Sequence, residues 1–201
     1  MKCLFCDNEI QGINLISEFI KSDPLCFDCR NKMRINRKFV QLTKDLKVET
    51  LYDYDEGLFK TMLIQYKECF DEALSDVFLY LLSEYIGIKY RGYKILFIPS
   101  SKEKLDARGF NHLEKIFKDV KLKRILGLEM KSEMIQEGKN LKQRKQMINN
   151  YIYKGEKAKK ILLVDDVLTS GSSILGAYNA VKPYANRVKA LALARKENAF
   201  I

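Results

Sequence analysis

The chain has 201 residues, an apolar fraction of 47% and a formal net charge of +10 at pH 7. That length suits one medium domain, or one domain with a small module, and the apolar content is enough for a core. No apolar run is long enough to span a bilayer and the N-terminus lacks a signal-peptide core, which predicts a cytoplasmic protein with no membrane insertion. The excess of lysine and arginine suits a polyanionic partner such as nucleic acid or pyrophosphate, although a solvated lysine-rich surface explains it equally well.

Two close cysteine pairs lie near the N-terminus. Cys3 and Cys6 form the first, Cys26 and Cys29 the second, and nineteen residues separate the pairs. Four thiolates at this spacing match a closed tetrahedral zinc site, which has no open position for catalysis. A redox pair or a coincidence is the alternative. The pattern predicts a zinc-ribbon module over residues 1–38 that depends on its metal for folding.

A basic stretch over residues 30–47 follows and is interpreted as a linker to the main domain, which occupies residues 39–201. Its cations are candidates for phosphate contacts, although solvation is the simpler reading of each one. Residues 48–54 are then predicted to form an edge strand. Apolar residues at helical spacing predict one helix from Leu58 and a second over residues 73–85.

A buried strand is predicted over residues 94–98, and a polar loop follows it. The loop carries Ser100, Ser101 and Lys102, with Arg108 a few residues later. If this strand runs parallel to a later strand that begins near Ile161, both following loops open at the same edge of the sheet. The cations of the first loop would then face an anion bound by the second. Standing alone, this unit would be read as a solvated polar loop.

Residues 161–173 read ILLVDDVLTSGSS, and this stretch organises the chain. The apolar run is typical of a strand buried on both faces, and a helical pattern follows the small polar turn. Helix N-terminal amides can hold a phosphate there, wrapped by Thr169, Ser170, Gly171, Ser172 and Ser173. Asp165 and Asp166 stand where a sheet of this class binds ligands, and suit a vicinal diol or hydrated Mg²⁺. An ordinary turn with two solvated aspartates is the alternative.

The segment 161–173 resembles the signature with which type I phosphoribosyltransferases bind phosphoribosyl pyrophosphate (PRPP). With the Arg108-Gly109-Phe110-Asn111 segment and the two cysteine pairs, the chain resembles the ComF family of competence-associated proteins. That family joins an N-terminal zinc finger to a phosphoribosyltransferase domain. His112 departs from the glutamine common in the family at this position. A lone histidine at a helix start is more typical of a polar surface than of a catalytic acid or base. The Tyr66-Lys67 pair resembles the family's helix-end Lys-Tyr region in reversed order, and no role is assigned to it.

The resemblance implies an α/β fold, a type I phosphoribosyltransferase-like parallel sheet flanked by helices and preceded by the zinc ribbon. It implies that Asp165 and Asp166 are catalytic residues that hold the ribose hydroxyls of PRPP and, through water, Mg²⁺. The pyrophosphate would be bound by Ser100, Ser101, Lys102 and Arg108. A flexible lid would be formed by Lys139, Arg144 and Lys145. The implied function is uptake or handling of single-stranded DNA in natural transformation, beside a helicase-like competence ATPase. The alternative is an active phosphoribosyltransferase of nucleotide or base metabolism that releases pyrophosphate, with an unknown acceptor.

Overall fold

The computed structural model describes residues 1–10, 22–131 and 150–196. In these ranges no helix is both long enough and apolar enough to cross a membrane. The helices are α1 (Phe27–Lys32), α2 (Phe59–Glu68), α3 (Ser75–Phe78), α4 (Ser83–Lys89), α5 (Lys102–Arg108), α6 (His112–Ile116) and α7 (Ser172–Val181). The strands are β1 (Lys38–Thr43), β2 (Leu46–Asp53), β3 (Lys94–Phe97), β4 (Lys123–Arg124), β5 (Leu128–Met130), β6 (Tyr151–Tyr153), β7 (Ala158–Leu168) and β8 (Ala185–Arg195).

Six of these strands form one mixed sheet in the order β1-β2-β8-β7-β3-β4. Only the β1–β2 pair is antiparallel, and β2, β8, β7, β3 and β4 run parallel to one another. β5 and β6 form a separate antiparallel pair. The predicted α/β fold with a mostly parallel sheet flanked by helices is therefore confirmed.

Both faces of the sheet are covered, which explains the unbroken apolar runs in its central strands. Leu162 and Val164 of β7 face one core, which also contains buried residues of α2, α3, α4 and α6. Ile161 and Leu163 face the opposite core, which contains the apolar side of α7. A strand buried on both faces cannot show the alternation of a half-exposed strand.

Three sequence interpretations are wrong in the N-terminal half. The supposed linker over residues 30–47 contains the end of α1 and the edge strand β1, while the supposed edge strand is β2, which lies between β1 and β8. β2 is buried along most of its length, and its parallel pairing with β8 is a long-range contact that local composition does not reveal. The single helix predicted over residues 73–85 is a 3-10 turn followed by α3 and α4, with Leu79 and Leu82 buried at the break.

The cysteine-bearing segment packs directly against the main domain. Leu25 and Met33 are buried in the same core as Tyr52 and Phe59. The guanidinium of Arg30 holds both carboxylate oxygens of Asp23 at 2.7 Å and also donates to the carbonyl oxygen of Val77 at 3.3 Å. These contacts hold the cysteine segment against the main domain. The domain boundary at residue 38 stays a prediction.

Candidate functional site

The two predicted ligand loops lie at the same edge of the sheet. β3 and β7 are parallel neighbours, with Lys94 opposite Ile161 and Phe97 opposite Val164. The ladder extends one step further, because the amide of Ile98 donates to the carbonyl oxygen of Val164 at 2.9 Å. The loop with the partly buried Ser100 and Ser101 and the exposed Lys102 therefore leaves the sheet beside Asp165.

The loop after β7 has the geometry of an anion cradle at a helix start. Gly171 is the N-cap of the ten-residue helix α7 and adopts a left-handed conformation with φ of 73°. A Cβ at this position would lie 2.8 Å from the Leu42 side chain, so glycine is required for space as well as for conformation. The hydroxyls of Ser170 and Ser172 are 2.9 Å apart, and Thr169, Ser170 and Ser173 are exposed. The amide of Ser172 donates to Ser170 Oγ at 3.4 Å, and the positive end of the helix dipole lies beside these exposed hydroxyls.

Asp166 is the most heavily contacted residue of the acidic pair. Its Oδ2 atom accepts from Lys67 Nζ at 2.5 Å and from His112 Nε2 at 2.9 Å. The other ring nitrogen of His112, Nδ1, lies 3.1 Å from Arg108 Nη1. Because a guanidinium can only donate, Nδ1 must be the acceptor and Nε2 carries the proton of the neutral ring. The pairing with Arg108 thus fixes the tautomer that donates to Asp166.

Arg108 and His112 lie inside the protein. Their exposed fractions are 7% and 4%. The Nε of Arg108 donates to the carbonyl oxygen of Lys67 at 3.1 Å, and the Tyr66 hydroxyl donates to the carbonyl oxygen of His112 at 2.8 Å. The interpretation of His112 as a surface residue is therefore wrong. The phosphate contact expected of Arg108 stays a prediction, since the contacts described for its guanidinium are with Lys67 and His112.

The neighbouring carboxyls differ in acidity. Burial, reinforced by the charge of Asp166, raises the pKa of Asp165 to about 7. Burial alone would also raise the pKa of Asp166, but the hydrogen bond from His112 and the charge of Lys67 outweigh it and lower that pKa below its usual range. Burial lowers the pKa of His112, with the charges of Lys67 and Arg108 acting in the same direction against Asp166. Near neutral pH the pair therefore combines an ionised Asp166 with an Asp165 poised to bind or release a proton.

A cavity of about 440 Å³ opens beside the acidic pair. Its walls come from α2, the end of β7 and the start of α7. The lining residues are Tyr54, Leu63, Ile64, Lys67, Glu68, Asp165, Asp166, Val167, Thr169, Ser173 and Lys196. The cavity joins both aspartates to two residues of the predicted phosphate loop. The predicted lid residues Lys139, Arg144 and Lys145 lie outside the described residues.

The four N-terminal cysteines converge as the spacing predicts. The Sγ atoms of Cys3, Cys6, Cys26 and Cys29 all lie within 4.8 Å of one another, and those of Cys6 and Cys26 are 3.6 Å apart. Tetrahedral zinc with bonds of about 2.3 Å would separate its sulfurs by about 3.8 Å, so the cluster fits that ion. The four-cysteine set leaves no position for water and suits a structural role.

The chain is similar to a known competence protein. No family model matches the chain. The competence protein ComFC of Streptococcus pneumoniae is 27% identical, over 87% of this chain and 90% of that protein. The predicted resemblance to a ComF-type protein is confirmed. It extends over most of the chain.

Solved phosphoribosyltransferases are also similar to the chain. A hypoxanthine phosphoribosyltransferase from Staphylococcus aureus has a TM-score of 0.41 and 12% identity, over 64% of this chain and 66% of that one. A hypoxanthine-guanine phosphoribosyltransferase from Bacillus anthracis has a TM-score of 0.42 and 14% identity, over 64% and 70%. An adenine phosphoribosyltransferase from Leishmania tarentolae has a TM-score of 0.38 and 13% identity, over 82% and 97%.

Sequence reasoning missed two features of this region. Lys67 received no role and His112 was assigned to the surface, because their link to Asp166 spans 99 and 54 residues of chain. A second cavity of about 660 Å³, between α1 and the carboxyl end of β2, was also not foreseen. Its lining includes Asp28, Asn31 and Asp53. Helical periodicity could have placed Lys67 near the end of α2, but not against Asp166.

Replacing Asp165 with asparagine is expected to stabilise the free protein in a pH-dependent way. The pKa of Asp165 is raised from 3.8 to about 7, so between these values the folded protein holds a proton that the unfolded chain releases. Wild-type stability therefore falls as pH rises through this window, and the variant lacks that contribution. The Tm difference between Asp165→Asn and wild type should grow from pH 4 to 7 and level off above. Asp166→Asn is the control and should lower the Tm, because ionisation of Asp166 is favoured in the folded state. A Tm difference between Asp165→Asn and wild type that does not change with pH would contradict the raised pKa of Asp165.

Removing zinc is expected to destabilise the protein beyond the cysteine segment. Cys3 and Cys29 belong to the same core as Leu51 and Tyr52, so loss of the metal should loosen packing in both parts. Chelation or Cys29→Ser should lower the Tm measured by circular dichroism, with about one equivalent of zinc in the untreated protein. Cys69→Ser, which changes an exposed cysteine, is the matched control. Full retention of structure without metal would contradict the site.

Proposed function

We propose that this protein binds PRPP at the Asp165–Asp166 cavity and acts in natural competence, in the uptake or handling of single-stranded DNA. The observation that carries the proposal is the juxtaposition of an acidic pair and a glycine-opened helix start at the carboxyl edge of a parallel sheet. Ligands of this fold class bind at that edge. The similarity to ComFC over most of the chain supports the competence role.

The cavity offers a group for each part of PRPP. The exposed Thr169, Ser170 and Ser173, with the first amides of α7, suit the 5-phosphate. The carboxylates suit the ribose hydroxyls, which donate hydrogen bonds. The loop after β3, with Ser100, Ser101 and Lys102, approaches from the neighbouring strand and suits the pyrophosphate.

Asp165 is the member of the acidic pair that suits Mg²⁺. Hard cations take carboxylate oxygens, and Asp166 already pairs with Lys67 and His112. Among the described residues Asp165 forms no ion pair; its Oδ1 accepts only the amide of Asp166, at 2.9 Å. Asp165 is thus the residue that would hold Mg²⁺ with oxygens of the ligand. When bound, the ion would neutralise pyrophosphate charge.

A second surface supports the part of the proposal that concerns DNA. Phe39, Lys47, Tyr85, Lys89 and Lys189 form a basic aromatic face. The ammonium groups of Lys47 and Lys89 lie 4.9 and 4.6 Å from the centre of the Phe39 ring, which is 53% exposed. Single-strand binding surfaces combine backbone-tracking cations with rings on which bases stack.

The basic aromatic face surrounds a cavity of about 340 Å³ near the amino ends of β2 and β8. Two acidic residues line this cavity, and the exposed one, Asp45, forms an ion pair with Lys182. The other, Glu49, is 1% exposed and accepts from Lys89 and the hydroxyls of Tyr85 and Tyr90. Its negative charge is thereby compensated, so it opposes a polyanion only weakly. Since β2, β8 and β7 are parallel, this face lies at the opposite sheet edge from Asp165, and DNA and PRPP would not compete for space.

The cellular setting follows from the same features. A thiolate zinc site is typical of a reducing compartment, and we place the protein in the cytoplasm. A helicase-like competence ATPase is the partner that we propose for this role. An active transferase of nucleotide metabolism is the alternative; its acceptor would be revealed by screening bases for release of pyrophosphate.

Calorimetric titration with PRPP and Mg²⁺ tests the ligand. Wild type should bind, and Asp165→Ala should weaken binding at least tenfold, because charge-assisted hydrogen bonds to the ribose are lost. Asp45→Ala, which changes an exposed aspartate of the β1–β2 turn, should bind as wild type does. A wild-type protein without measurable PRPP binding would refute the proposed ligand.

Single-strand DNA binding across a salt series tests the basic aromatic face. Lys47→Gln should reduce the dependence of log K on log salt by about 0.7, as expected for one lost phosphate contact. Phe39→Ala should weaken binding at all salt concentrations, by about 1–3 kcal/mol if one base stacks on the ring. Lys60→Gln, which removes an exposed lysine of α2, is the control. Equal effects of all three variants would count against this face.

A further inference from the structure

Lys67 occupies the wall of the ligand cavity, although the motifs gave it no role. It lies in the last turn of α2, and its side chain is 22% exposed. Its ammonium contacts Asp166 Oδ2 at 2.5 Å, and the cavity it lines also includes Asp165, Thr169 and Ser173. A cation that contacts the acidic pair thus lines the same cavity as two residues of the predicted phosphate loop.

A closed ring of hydrogen bonds fixes this position. Arg108 donates from Nε to the carbonyl oxygen of Lys67 at 3.1 Å and from Nη1 to His112 Nδ1 at 3.1 Å. His112 donates from Nε2 to Asp166, which also accepts from Lys67. The ring ties α2, α5, α6 and β7 together. Much of the entropy that a flexible lysine loses on binding a ligand is therefore already lost in the free protein.

The ammonium retains hydrogen-bonding capacity. A lysine has three N–H donors and no acceptor, and within the described part of the chain its ammonium is hydrogen-bonded to Asp166 alone. The cavity wall also carries Glu68, Asp165 and Asp166, which would repel a phosphate. Among the lining residues only Lys67 and Lys196 carry positive charge to offset them.

We propose that Lys67 is an additional ligand-binding residue whose ammonium bridges Asp166 and an anionic oxygen of a phosphorylated ribose held by residues 169–173. Arg108 and His112 act as positioning residues for it. This inference rests on the proposed PRPP site and adds to it a contact from α2. It also explains why Asp166 is held ionised: the carboxylate anchors the cation that the ligand needs.

Titration of Lys67→Met with PRPP and Mg²⁺ tests the inference. Affinity should fall about tenfold to a hundredfold, the loss expected when a hydrogen bond to a charged group is removed, and its salt dependence should become shallower. Lys60→Met, on the exposed side of α2, is the control and should change affinity less than threefold. Lys196→Met, the other lysine of the cavity, should lose less affinity than Lys67→Met because no ion pair holds its ammonium beside the acidic pair in the described residues. If Lys67→Met does not fold, Lys67→Gln keeps an N–H donor for Asp166 and provides the same comparison.

The outcomes separate this inference from the proposed function. Wild-type binding together with unchanged affinity of the Lys67 variant overturns the inference and leaves the PRPP site standing. Equal losses in the Lys67 and Lys196 variants also overturn it, because the effect would then reflect general charge in the cavity. Failure of wild type to bind PRPP overturns both.

Discussion

One carboxylate oxygen holds the candidate site together. Asp166 Oδ2 accepts from Lys67 and from His112, whose ring is oriented by Arg108. These side chains come from helices on one face of the sheet, while Asp166 stands at the end of β7. A partly buried carboxylate is tolerated only when it is paired and hydrogen-bonded, so the ends of α2 and α6 are held against the sheet edge at this point.

This pairing gives two adjacent aspartates different roles. Asp166 is ionised and paired, whereas Asp165 is partly buried beside that charge and its pKa is raised to about 7. An adjacent pair of carboxylates cannot be neutralised equally by one fixed cation. Among the described residues Asp165 therefore forms no ion pair, whereas Asp166 holds Lys67 and His112 in the cavity wall.

The sheet separates two surfaces of different chemistry. Its carboxyl edge presents carboxylates, small hydroxyls and a helix start, which suit a phosphorylated sugar. Its amino edge presents the basic aromatic face, where Lys47 and Lys89 flank the Phe39 ring. Both surfaces share β2, β8 and the helices packed on them. An effect of the proposed PRPP ligand on the proposed DNA ligand would therefore be transmitted through the sheet, since the two would not touch.

Local sequence patterns were enough to predict the buried strand, acidic pair and glycine turn at residues 161–173, and the two cysteine pairs. Their chemistry is carried by neighbouring residues, so spacing alone reveals it. The folded structure was needed to show that Lys67 and His112 contact Asp166, that Arg108 orients His112, that β2 is an interior strand, and that Phe39 lies among lysines. These contacts join segments far apart in the chain, and packing of the helices on the sheet brings them together. Composition and periodicity report which face of an element is buried, but not which distant side chain it meets.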